Sequence, residues 1–215
     1  MLSTKVKASA ITHLTDARYF AAMYVDWLGF HLSPGSDESV NETLVIALKE
    51  WVDGVRICGE FGLATAAELT NNIRRLALDA VQLGPFTPLD ALAAVPSTVE
   101  VIQEVVIEHY NEVEDIEELL VERAEYAQYF LLNFSKGGLS WRNVSTDEIP
   151  FSLAQLQSWC QRYPILLDLP LEGTAPTEVL AQVPAKGFSV QGSAEEKVGY
   201  KSFDDLDDFF EDLEA

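Results

Sequence analysis

Short apolar runs alternate with segments of helical period from one end of the chain to the other, eight times over. The strand-like runs are VKASA, WLGFHL, VRICG, DAVQL, VEVIQEVVI, YFLLN, PILLDL and GFSVQ. A helix between successive strands implies parallel pairing, because a parallel crossover needs a dozen or more residues. Across 215 residues, eight units of about 27 residues each predict one closed (β/α)8 TIM barrel over residues 1–215. An open doubly wound sheet is the alternative. No Pro/Gly/Ser-rich linker marks a domain boundary, and the longest irregular piece runs from Lys136 to Pro150.

Within the helices, Ala17, Phe20, Ala21 and Tyr24 fall on one face of the first, and Leu44, Val45, Leu48 and Trp51 on one side of the second. Thr87 is expected to cap the fourth, with Pro88 at its first helical position. The tail places Phe203, Leu206, Phe209, Phe210 and Leu213 at helical spacing with acids between them. It reads as a last barrel helix with a solvated acidic face, and secondarily as a docking surface.

Charge narrows the partners. The formal net charge is −21, from 35 acidic residues against 14 basic ones spread along the chain. Nucleic acid is excluded as an expected partner, since phosphates must be met by a patch of Lys and Arg. The same field opposes small anions at long range, although a local nest of backbone N–H groups can outweigh it. The N-terminal MLSTKVKAS lacks the apolar run of a signal peptide, and no stretch has the roughly 18 to 20 apolar residues of a membrane span. A cytoplasmic protein without a membrane partner is expected, and its two cysteines, Cys58 and Cys160, should be reduced. His13, His31 and His109 share no ligand spacing with other donors, so neither a metal nor another cofactor is expected.

In a barrel of this kind, chemistry sits at the C-terminal ends of the strands. That singles out Ser9 and Ala10, His31 and Leu32, Cys58 to Glu60, Gln82 to Pro85, Glu104 to Ile107, Asn133, Asp168 and Leu169, and Gln191 to Ser193.

Taken in order, these segments resemble the phosphoribosylanthranilate isomerase family of tryptophan biosynthesis. KASAIT, TDARYFAA and VDWLGF stand where the family has KICGIT, a helix with an acidic-Ala pair, and ADALGF. Val81-Gln82-Leu83-Gly84-Pro85 is similar to VQLHG. FLLN with Gly137-Gly138 and Trp141 is similar to FLLD, its Gly-rich loop and its Trp, and GFSVQGSAEEKVGYKSFDDL aligns without gaps to the last unit. The resemblance implies an Amadori rearrangement of an aminoaldose to an aminoketose, with a general base at the Cys of KICGIT and a general acid at the Asp of FLLD. Ser9 and Asn133 occupy those two positions. An amide holds no transferable proton near neutral pH, and a hydroxyl is a weak base unless a neighbouring His or Lys activates it.

Other family positions are altered as well. The Arg after the second strand is Gly35, the His of VQLHG is Gly84, the Asp of GVDVSSG is Ser189, and the Gly-Gly after strand seven is Leu169-Pro170. Gln82, Gly192 and Ser193 remain as ligand-binding candidates. Gly192-Ser193 reads as a reduced phosphate nest or, more simply, as a plain turn. The expectation is therefore a barrel inactive in the Amadori rearrangement and retained as a binding or regulatory protein, for a small phosphorylated metabolite or a protein partner. The alternative is an active isomerase, or an enzyme of changed substrate working through Glu104 or Asp168. Strand parity, known from sequence only to within one residue, leaves open whether both carboxylates face the barrel axis. Cys58, at the end of strand three, is a poor substitute for the missing base and reads as a buried structural thiol.

Overall fold

A computed structural model describes residues 1–33, 39–192 and 203–214. Eight parallel strands close on themselves in sequence order: β1 (Lys5–Ser9), β2 (Trp27–His31), β3 (Arg56–Phe61), β4 (Ala80–Leu83), β5 (Glu100–Val106), β6 (Tyr129–Asn133), β7 (Ile165–Asp168) and β8 (Gly187–Gln191). β8 returns to β1 with Lys5 opposite Gly187 and Ser9 opposite Gln191, which completes the ring. The fold is the (β/α)8 barrel that the alternation predicts.

The crossovers carry helices α1 (Leu14–Ala22), α2 (Glu42–Lys49), α3 (Ala66–Leu76), α4 (Leu89–Ala93), α5 (Val113–Arg123), α6 (Trp141–Ser145), α7 (Leu153–Arg162), α8 (Pro176–Gln182) and α9 (Asp204–Leu213). α3 starts at a reciprocal cap: the Thr65 hydroxyl accepts from the Glu68 N–H, and the Glu68 carboxylate accepts from the Thr65 N–H. In α9, Phe209, Phe210 and Leu213 are buried as the helical spacing requires.

Strand alternation divides the core in two. Outward side chains such as Val6, Ala8, Leu28, Phe30 and Leu132 pack beneath the helices. Inward ones, Trp27, Cys58, Ala80, Ile102, Leu131 and Leu166, form a separate plug on the axis. Below that plug, Arg56 stacks 4.2 Å from the Trp27 ring centroid and pairs with Asp26 and Glu100, and Trp27 Nε1 donates to Glu100 at 2.8 Å. This ion-pair network closes the N-terminal end and leaves the opposite end for ligands.

Four local expectations are corrected. Tyr24 is 75% exposed because α1 ends at Ala22 and the chain turns through a left-handed Tyr24, φ +59°. Trp51 likewise lies beyond α2 and is 65% exposed. The cap of α4 is Pro88 rather than Thr87, whose buried hydroxyl makes no side-chain cap. The stretch from Lys136 to Pro150 is not irregular throughout, since it contains the end of a 3-10 turn and all of α6. Among the described residues no helix is long and apolar enough to cross a membrane.

Candidate functional site

The site begins with the alternation along β1. Lys5, Lys7 and Ser9 point to the axis while Val6 and Ala8 point to the helices. Lys7 is fully buried one layer below the mouth and forms an ion pair with Glu60 of β3. Gly29 of β2 makes the pair possible, because a Cβ there would stand 2.0 Å from Glu60 Oε1 and 2.8 Å from Lys7 Nζ. Burial alone would lower the Lys7 pKa, but the Glu60 charge and hydrogen bond outweigh it and hold the ammonium above its ordinary value. Lys7 is therefore a charged donor at neutral pH, not a base.

From Lys7 a hydrogen-bond chain crosses the mouth. Lys7 Nζ donates to Ser9 Oγ at 2.7 Å, and Ser9 Oγ lies 2.8 Å from Ser189 Oγ. An ammonium can only donate, so the Ser9 hydroxyl turns its own proton to Ser189. Ser189 in turn donates to Asp168, which the Ser135 hydroxyl also reaches. Even so, desolvation raises the Asp168 carboxyl above its ordinary pKa, with hydroxyl hydrogen bonds and Lys7 opposing.

A second cluster faces the first. Asn133 Nδ2 donates to Glu104 Oε1 at 2.8 Å, Lys136 Nζ reaches the same oxygen at 2.6 Å, and the Lys136 N–H donates to Asn133 Oδ1 at 2.9 Å. Glu104 and Asp168 both face the axis and sense each other's charge, which resolves the parity question. Gln82, inward on β4, is the register partner of Glu60, and its buried Oε1 has no hydrogen-bond partner among the described residues.

Several altered positions have a physical reason. A Cβ at Gly84 would lie 2.1 Å from the Gly62 carbonyl oxygen, so this pair of loops has no room for the histidine of the family motif. Gly192 is described, and a Cβ there would be 3.3 Å from Asp16 Oδ1. A carboxylate thus borders the turn proposed as a phosphate nest. Gly35 and Ser193 lie outside the described residues. Cys58 is buried in the axial plug, where desolvation pushes its thiol up to about 12, as burial does for Cys160. Among the described residues no group of three or more His, Cys, Asp or Glu could hold a metal ion.

Cavities open at both ends of the barrel among the described residues. One of about 570 Å³ lies at the N-terminal end around Met1, Lys5 and Tyr24. The other, about 850 Å³, opens beside Asp168, Ser135 and Ser189 between the loop after β7, the end of β8 and α9. Glu60 was among the strand-end residues singled out, whereas Lys7 escaped that reading because it matters through parity and a long-range contact. The alternation Lys5-Lys7-Ser9 was the one signal that could have found Lys7.

Fold and mouth together define a (β/α)8 barrel with a polar, hydrogen-bonded site at the C-terminal ends of its strands. Among solved structures, the chain is similar to phosphoribosylanthranilate isomerase from Thermotoga maritima, at 21% identity and a TM-score of 0.77 over 98% of each chain. It is also similar to that from Thermus thermophilus, at 27% identity and a TM-score of 0.70, over 97% of this chain and 98% of the other. A phosphoribosylanthranilate isomerase in complex with reduced 1-(o-carboxyphenylamino)-1-deoxyribulose 5-phosphate matches at 20% identity, a TM-score of 0.73 and 98% of each chain. No family model matches the sequence, and no curated protein matches it.

Proposed function

We propose that this chain is a phosphoribosylanthranilate isomerase-like barrel that does not perform the Amadori rearrangement and serves as a binding protein. One observation carries the reading. The positions matching the family's base and acid hold Ser9 and Asn133, and both are tied into hydrogen bonds with groups that cannot activate them. The lysine beside Ser9 is committed as an ammonium to Glu60, so it cannot take the hydroxyl proton. Each lost proton-transfer role typically lowers a rate by about 10² to 10⁴. The lining of the mouth supports the same reading, since Asp16 borders Gly192 and Pro170 offers no N–H to a phosphate.

A second reading rests on Asp168. A desolvated carboxyl with a raised pKa, linked through two hydroxyls to a buried ammonium, has the makings of a general acid for a changed substrate. Expression in a tryptophan auxotroph lacking the isomerase tests the first reading. No growth without tryptophan is expected; growth at the normal rate contradicts it.

A further inference from the structure

Most large apolar side chains among the described residues are buried, and three of those that are not stand on successive loops at the C-terminal end of the barrel. Leu63 follows β3 and is 64% exposed, Phe86 follows β4 at 83%, and Tyr110 follows β5 at 75%. Single exposed hydrophobes are common on any surface. These three belong together, because their loops are fastened to one another. Gly84, two residues before Phe86, lies against the carbonyl of Gly62, the neighbour of Leu63. Gln103 of β5 donates from Nε2 to the carbonyls of Leu83 and Gly84 at 3.0 and 3.2 Å, which ties the Phe86 loop to the strand that leads to Tyr110. Aromatic and aliphatic anchors grouped on tethered loops are what protein interfaces bury at their centres.

The charge around the patch indicates what covers it. From Leu76 to Glu122 the chain has no Lys or Arg, and the exposed acids Glu68, Asp90 and Glu112 flank the three loops in sequence. Lys136, on the next loop round the ring, is already paired with Glu104. A second copy of this chain would bring the same charge of −21, and an anionic membrane or nucleic acid would be repelled as well. A protein surface rich in Lys and Arg meets no such barrier.

We propose that the loops after β3, β4 and β5 form a docking surface for a basic partner protein, whose apolar side chains pack on Leu63, Phe86 and Tyr110 while its Lys or Arg residues face the surrounding acids. The three loops follow strands other than those of Ser9, Asn133 and Asp168. The proposal therefore goes beyond the reading of the mouth and holds whether or not the mouth has activity.

Fluorescence anisotropy tests this with a labelled amphipathic Leu/Lys peptide of about 18 residues, long enough to form a helix. The full chain is titrated into it at about 0.15 M salt, which screens loose surface adsorption. Saturable binding of one peptide per chain is expected. A Ser/Lys peptide of equal length and charge should bind about tenfold more weakly or worse, and the triple variant Leu63→Ser/Phe86→Ser/Tyr110→Ser should weaken the Leu/Lys peptide by about tenfold or more. Phe86→Ser alone should weaken it several-fold. Ile46→Ser and Val121→Ser, which remove exposed apolar side chains from α2 and α5, should leave the affinity unchanged. A thermal melt of each variant confirms that it is folded. Absence of saturable binding, equal affinity in the triple variant, or equal binding of the Ser/Lys peptide overturns the proposal. A dimer in sedimentation velocity that the triple variant abolishes also overturns it, because a second copy is then the occupant. Attachment to phosphatidylserine vesicles that the same variant abolishes would overturn it in favour of a membrane.

Discussion

Replacing Lys7 with methionine would leave Glu60 as a buried carboxylate facing an apolar side chain. Breaking such a pair from one side typically costs about 3 to 5 kcal/mol. At roughly 2 to 4 °C per kcal/mol for a chain of this size, Lys7→Met is expected to melt at least several degrees lower by circular dichroism. An unchanged midpoint would mean that the pair contributes nothing to the fold. Asp168→Asn is expected to act in the opposite direction. Because desolvation raises the folded-state pKa of Asp168, the native state holds its proton more tightly than the unfolded chain does. Stability therefore falls as pH rises from the unfolded value, about 3.9, through the folded one, and the full cost is present above both. Asparagine carries no such cost, so the variant should be more stable at neutral pH, and its advantage should vanish as pH approaches about 4. Melting curves across that range check the sign. Ser9 and Asn133 were legible in the sequence because each ends a strand in a motif of fixed order. Which residues they meet was not, because Lys7 meets Glu60 across 53 residues and Ser9 meets Ser189 across 180.

Strands and helices were read largely correctly, because each strand's apolar run is buried between helices and plug and so carries a strong signal. Errors fell where one residue's backbone decided the outcome. Tyr24 and Trp51 continue a helical period on paper, but α1 and α2 stop before them and both side chains end in solvent. α6 is five residues long, too short for its period to stand out from the surrounding loop. Glycines shape the mouth at this scale: Gly29 makes room for the Lys7–Glu60 pair, and Gly84 lets the loops after β3 and β4 touch. Gly84→Ala would press a methyl against the Gly62 carbonyl, so the loops must separate. A loss of about 1 to 3 kcal/mol is expected in denaturant unfolding. A neutral result would show that the loops yield freely and that steric exclusion is not why histidine is missing there.

For the whole molecule, the eightfold alternation and the order of the motifs carried the fold, and structural similarity over nearly the full chain agrees. The site was less legible, because a mouth built from eight strand ends depends on which side chains meet across the ring. Net charge joins the two scales. A chain at −21 whose described cavity lining beside Asp168 is without cations supports the proposal made above that a substrate bearing a phosphate and a carboxylate is no longer its ligand. The most direct measurement is the turnover of phosphoribosylanthranilate by the purified protein, followed beside a variant with Ser9→Ala and Asn133→Ala. The account predicts no turnover above the uncatalysed rate in either protein. Turnover that survives both substitutions would place working acid and base elsewhere in the mouth and contradict it.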